Sequence, residues 1–205
     1  MKDELKDLLN KAKNEVNNHP KGQLILPLRK KIYSLMGEHS EDSEGRVLRT
    51  DGYLRRLQLS VLCVNYVLPI WNNVMLDDNT PNTLLKSIND YLSGDKDWDF
   101  LWELQNDFWA VLDSYMCDDN DYGTSIYVGH CSINAVMVAL NDEDLGEDDE
   151  NLLDEDLDPY TWDTAFYSSL AYSESEQYDE KTKILKKREF WLWYLDKAIP
   201  KAMQI

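Results

Sequence analysis

Carboxylates are the chemically capable residue type this chain carries in quantity, and three of their clusters have the alternation that can hold calcium. A calcium loop needs Asp-x-[Asp/Asn]-x-[Asp/Asn]-Gly and, after five further residues, Glu, because the ion takes several oxygens and the chain must turn sharply at the glycine. Asp118, Asn120 and Gly123 fill three of these places, but Tyr122 stands at the fifth and Gly129 at the twelfth. Asp95, Asp97 and Asp99 alternate correctly and then meet Phe100 where glycine is required, while around Gly146 the ligand positions fall on Leu145 and Leu152. No cluster completes the loop, so neither a metal nor another cofactor is expected.

Nucleophilic and acid–base chemistry has less to draw on. His130 and Cys131 are adjacent in an apolar segment, and neighbouring side chains on a helix point apart, so they cannot form a dyad. His130 reads as a core histidine, and His19 and His39 fall in loops. Cys63, Cys117 and Cys131 show no Cys-x-x-Cys and no zinc spacing with histidine, which suits free thiols in a reducing compartment. His-x-x-x-His, a glycine-rich phosphate loop and Gly-x-Ser-x-Gly are all absent. No catalytic residue is expected and the chain does not read as an enzyme. Carboxylates gathered by folding leave no local pattern, however, so the alternative is a helical enzyme that uses them with a divalent metal.

The elements that would position these residues are helices. The organising one is the apolar run 54–76, in which Leu54, Leu57, Val61, Val64, Leu68, Trp71 and Met75 recur at steps of three and four. Leu62, Val67, Ile70 and Val74 widen that face around most of the cylinder, the mark of a buried helix, and Pro69 predicts a kink or a break. Amphipathic helices are predicted before it, over 2–18 and from Pro27 to Gly37. After it come one opened by Thr80 and Pro81, one over 97–116 in which Trp98 and Trp102 pack together, a second buried one over 126–140, one opened by Asp158 and Pro159, and a last one over 181–203. The expected fold is all-α: a single-domain bundle of about eight helices over 1–205, around a buried, Pro-kinked central helix, with an acidic loop or short helix at 141–158. Segments 57–76 and 122–141 are uncharged and about as long as a membrane span, but their Asn, Gln, Ser, His and Pro residues favour burial within protein. No membrane contact is expected. The N-terminus lacks the apolar core of a secretory signal, which places the protein in the cytoplasm.

Charge is the strongest compositional signal. The formal net value is −18, and residues 97–180 hold 24 acids and no Lys or Arg. Such asymmetry repels nucleic acid and steers basic partners over a Debye length of roughly 10 Å, although a solvated surface that only confers solubility would have the same composition. Arg55-Arg56 and Lys186-Lys187-Arg188 are expected to neutralise acids on neighbouring helices or to face solvent, and Trp191-Leu192-Trp193-Tyr194 to serve core and interface.

Four segments, in order, carry a resemblance. They are Leu26-Pro27-Leu28-Arg29-Lys30-Lys31-Ile32-Tyr33, Val67-Leu68-Pro69-Ile70-Trp71, Asp158-Pro159-Tyr160-Thr161-Trp162-Asp163-Thr164-Ala165-Phe166, and Arg188-Glu189-Phe190-Trp191-Leu192-Trp193-Tyr194-Leu195-Asp196-Lys197-Ala198-Ile199-Pro200. Together they resemble a family of all-helical immunity proteins from bacterial polymorphic toxin systems. The resemblance implies a protein that binds and neutralises a cognate toxin domain, and it brings no catalytic residues with it. Joined to the charge, it points to a basic, nuclease-like toxin held by Asp118, Asp119, Asp121, Asp142, Glu143, Asp144, Glu147, Asp148, Asp149, Glu150, Asp154 and Asp156. Aromatics at the rim, among Tyr122, Tyr160 and Trp162, would be the anchors.

Overall fold

The computed structural model describes residues 3–116, 122–146 and 152–205. They form α1 (Asp3–Asn18), α2 (Leu26–Leu35), α3 (Asp51–Val74), α4 (Thr80–Ser93), α5 (Trp98–Met116), α6 (Ser125–Asn141), α7 (Thr164–Ser173) and α8 (Glu180–Trp193). α8 continues through a π turn, Tyr194–Ala198, into the short α9 (Ile199–Ala202). Two 3-10 turns, Asp154–Asp156 and Pro159–Thr161, lie between α6 and α7, and among the described residues there is no strand beyond one isolated bridge between Glu41 and Val47. The all-helical expectation holds.

α3 is central because it serves two cores at once. Tyr53, Leu57, Val64, Val67 and Trp71 meet α4, α5 and α6 on one side, and Leu59 and Cys63 meet α1, α2 and the α8–α9 segment on the other. α7 does the same, sending Tyr167 and Ala171 to the first core and Ala165, Phe166 and Leu170 to the second. The expected burial all round holds only in the first part of α3: Asn65, Pro69, Asn72, Asn73 and Val74 are exposed. That exposure explains why α3 runs through Pro69 without breaking in two. The proline deprives the Asn65 carbonyl of its partner, and water can replace it at an exposed position.

Local caps set three helix starts, two of them away from the expected residue. Thr80 is already helical and Asn79 is the N-cap residue of α4. α3 begins at Asp51 because Thr50 caps it, its Oγ1 accepting from the Tyr53 N–H at 3.1 Å and donating to the Glu38 carbonyl at 2.6 Å. Asp158 and Pro159 open a 3-10 turn rather than α7. The cap of α7 is Asp163, whose Oδ1 accepts from the Phe166 N–H at 2.7 Å. Trp98 and Trp102 stack as expected, with ring centroids 5.2 Å apart.

Close approach at one point sets where α3 enters the bundle. Gly52 in its first turn lies against Gly37 and Glu38, so closely that a Cβ there would come within 2.4 Å of the Gly37 carbonyl carbon and the Glu38 oxygen. Gly37 itself has φ +144. Only glycine at both positions lets the two segments touch, and the contact delivers Arg55 and Arg56 to the C-terminal end of α2.

Candidate functional site

The acidic segment after α6 is fastened to the fold by two arginines buried in the core. A buried guanidinium survives only if its charge is matched and its N–H groups are used. Arg56, fully buried, uses all five. Its Nε donates to Asp142 Oδ1 at 2.7 Å and Nη2 to Asp142 Oδ2 at 2.6 Å, a two-pronged pairing, and the remaining donors reach the carbonyls of Tyr33, Gly37 and Glu38 at 3.2, 2.9 and 3.3 Å. Those carbonyls lie in the last turn of α2 and just beyond it, where a cation also meets the negative end of the helix dipole. Arg55 joins it through the Met36 carbonyl at 3.0 Å. Arg56 thus neutralises an acid at the end of a neighbouring helix, as expected, and does so in the core because α3 meets the end of α2 there.

Asp142 pays a local penalty for its place, with φ 67 and ψ 177 at the C-cap of α6. Such a backbone persists only when its surroundings hold it. Burial raises the Asp142 pKa, but hydrogen bonds from Arg56 and His39 outweigh that and hold it below the ordinary carboxylate value. His39 lies 2.9 Å from Asp142 Oδ2, and that bond raises the imidazole pKa.

Arg29 on α2 is the second fastening. Its Nε donates to Asp163 Oδ2 at 2.7 Å, and its Nη1 to the Leu24 carbonyl at 2.7 Å and Asp154 Oδ2 at 3.1 Å; Nη2 bonds to Asp154 Oδ1. The guanidinium lies 5.6 Å from the Phe166 ring and 5.2 Å from the Trp191 ring. Burial opposes its charge, and Asp163 with Asp154 outweighs that to raise its pKa. Gln23 Nε2 reaches Asp154 at 3.1 Å and Trp162 Nε1 donates to the Asp154 carbonyl at 2.7 Å, so the turn at 154–156 is held on several sides.

The sequence-predicted docking residues therefore separate into groups. Asp142 and Asp154 are turned inward and committed to Arg56 and Arg29, which corrects their expected place on a docking surface. Glu143 is half-buried, accepting from Ser60 Oγ at 3.1 Å. Asp144 is exposed and pairs with Lys30 at 2.7 Å, and Asp156 and Tyr160 are exposed. Asp118, Asp119, Asp121, Glu147, Asp148, Asp149 and Glu150 lie outside the described residues. The charge asymmetry of the sequence is partly folded away, because Lys21 pairs with Glu155 at 3.1 Å and Lys187 with Glu174 at 2.8 Å.

One acidic surface is not compensated in this way, and it lies where sequence reasoning did not look. On α5, Asp99, Glu103, Asp107 and Asp113 are exposed and form no ion pair among the described residues. Trp102 is 37% exposed on the same helix, and Tyr160, 56% exposed, packs on Trp109 of α5 with ring centroids 5.4 Å apart. The four-residue spacing of Asp99, Glu103 and Asp107 was a legible signal, since it places like charges on one helical face.

Burial holds two thiols and one imidazole in their uncharged forms. Burial pushes the Cys131 thiol up to about 12 and raises Cys63 as well, while burial lowers the pKa of His130, which stacks on Tyr167 at 5.0 Å with its Nδ1 unbonded. No group of three or more His, Cys, Asp or Glu residues that could hold a metal comes together among the described residues, and no described helix is long and apolar enough to cross a membrane. A family model described as Immunity protein Imm5 matches residues 9–201, and no curated protein matches the chain.

Proposed function

Because the chain belongs to the Immunity protein Imm5 family, we propose that it neutralises a cognate toxin domain with a basic, nuclease-like surface, in the cytoplasm of the cell that makes the toxin. The observation that carries this reading is the uncompensated face of α5. Like charges spaced i,i+4 destabilise a helix by a few tenths of a kcal/mol, and an acid in a last turn, as Asp113 is, opposes the helix dipole. A fold that pairs so many of its other carboxylates with Lys and Arg keeps these four exposed, beside Trp102 and Tyr160. A basic partner relieves that repulsion. It also meets a pattern common to tight interfaces, in which aromatics anchor and surrounding charges steer. Asp144, Asp156, Asp118, Asp119, Asp121 and 147–150 extend the same acidic character, and a nuclease cleft built for phosphates would accept carboxylates in their place.

Calorimetric titration of the toxin domain encoded beside this gene, at low and high salt, tests the reading. Tight binding that weakens with salt is expected. Absence of binding at either salt would retire it.

A further inference from the structure

A cavity of about 410 Å³ lies between α2, the end of α6 and residues 152–164. Resting on the reading above, we propose that this cavity receives the side chain of one arginine of the bound toxin domain. Its walls suit the stem and plane of that side chain: Leu26, Met137, Leu152 and Leu157 are apolar, and Trp162 is aromatic. The polar lining suits its head. Thr164, another lining residue, is 1% exposed and its Oγ1 is buried without a hydrogen-bond partner among the described residues, a polar atom behind the cavity wall. Glu143, also lining it, forms no ion pair among the described residues and accepts one hydrogen bond, from Ser60. The chain's own nearby guanidinium groups cannot serve it, since Arg29 and Arg56 are committed to Asp154, Asp163 and Asp142. With the size of an ordinary ligand pocket, the cavity offers the incompletely bonded Glu143 carboxyl to a donor of several N–H groups.

The groups that face Glu143 make the event visible as a proton. Asp142 and Asp144 stand on its own segment and Asp163 at the start of α7, with Tyr33 on α2, Cys63 on α3 and Tyr194 in the π turn. Arg29 and Lys30 on α2 and Arg56 on α3 oppose those acids. Burial first, then the Asp163 carboxylate, push Glu143 up to about 8, so it is mostly protonated at pH 7 while the cavity is empty. A seated guanidinium favours the carboxylate, and the proton leaves to solvent.

Calorimetry at pH 7 in phosphate and in Tris, which differ in protonation enthalpy, counts that proton as the toxin domain binds. Release approaching one proton per complex is expected from the native chain and none from Glu143→Gln, with affinity lowered about tenfold. Tight binding with the same proton count and affinity in both would overturn the arginine cavity while leaving the immunity reading intact. N-acetyl-L-arginine methylamide supplies a probe that does not depend on the toxin. Its titration is expected to shift the amide resonances of Glu143 and Thr164 in the native chain and not in the variant. A probe that shifts neither in the native chain overturns the proposal; a probe that seats while the toxin domain fails to bind retires the immunity reading instead.

Discussion

Replacing Asp142 by asparagine isolates the contribution of one buried charge. Asparagine is nearly the same shape as aspartate, so the strain of the backbone at φ 67 is the same in both chains. What changes is that the Arg56 guanidinium, with no exposed side-chain surface, keeps its charge and loses its counter-charge. Removing one partner of such a pair costs about 3–5 kcal/mol, a large part of the roughly 5–15 kcal/mol that holds a domain together. With a urea slope of about 1–3 kcal/mol per molar, the unfolding midpoint should fall by roughly 2 M, read by tryptophan fluorescence with the slope unchanged. The control is Asp144→Asn, whose 75% exposed side chain pairs with Lys30 at the surface and should be worth less than about 1 kcal/mol. Arg56→Met added to Asp142→Asn should recover part of the loss and not all of it. It removes the charge pair but leaves the carbonyls of Tyr33, Gly37 and Glu38 without their donors, at about 1–3 kcal/mol for each one left buried. If Asp142→Asn costs no more than Asp144→Asn, the acidic segment is not fastened by Arg56 in the way described.

Glu143, with its folded pKa pushed up to about 8 against an ordinary 4.5, contributes stability that is complete below pH 4.5 and lost as pH rises towards 8. Glu143→Gln should therefore flatten that decline and be more stable than the native chain at pH 8, by roughly 1–3 kcal/mol in urea titrations at several pH values. Asp142 has the opposite sign: its lowered pKa gives stability present above the ordinary carboxylate range and lost in acid, so Asp142→Asn should remove part of the acid-induced fall in urea midpoint. Gly52→Ala drives a methyl group into the backbone of Gly37 and Glu38 and should lower Tm by roughly 3–10 °C in a calorimetric melt. Neutralising Asp148, Asp149 and Glu150 together should slow association with the toxin domain and flatten its salt dependence in stopped-flow measurements, with little change in Tm.

The helices were legible because their signals are local. Apolar residues at steps of three and four marked α3, and Gly94, in the left-handed conformation that glycine favours, ends α4. The true start of α7 was not legible, because Asp158-Pro159 and Asp163-Thr164 both carry start signals. The choice between them is made by Arg29, distant in sequence, whose Nε bonds Asp163. For the same reason the inward turn of Asp142 and Asp154 was hidden. Nothing in a run of eleven acids over 141–158 distinguishes the two that meet a buried guanidinium, since their partners lie on α2 and α3. The α5 face follows the same periodicity that located its tryptophans, but its acids are far sparser than the run over 141–158.

The connection from α6 to α7 spans residues 142–163, longer than compact folds usually tolerate without structure of its own. Arg56 holds its first residue, Arg29 its last and also Asp154 between them, so for the chain's entropy it is two short loops rather than one long one. Closing a loop grows dearer only with the logarithm of its length, about 0.6 kcal/mol for each doubling. The stretch between the first two fastenings can therefore lengthen, shorten or change composition while the bundle beneath it stays folded. Insertion and deletion there change the surface with the helices inherited unchanged.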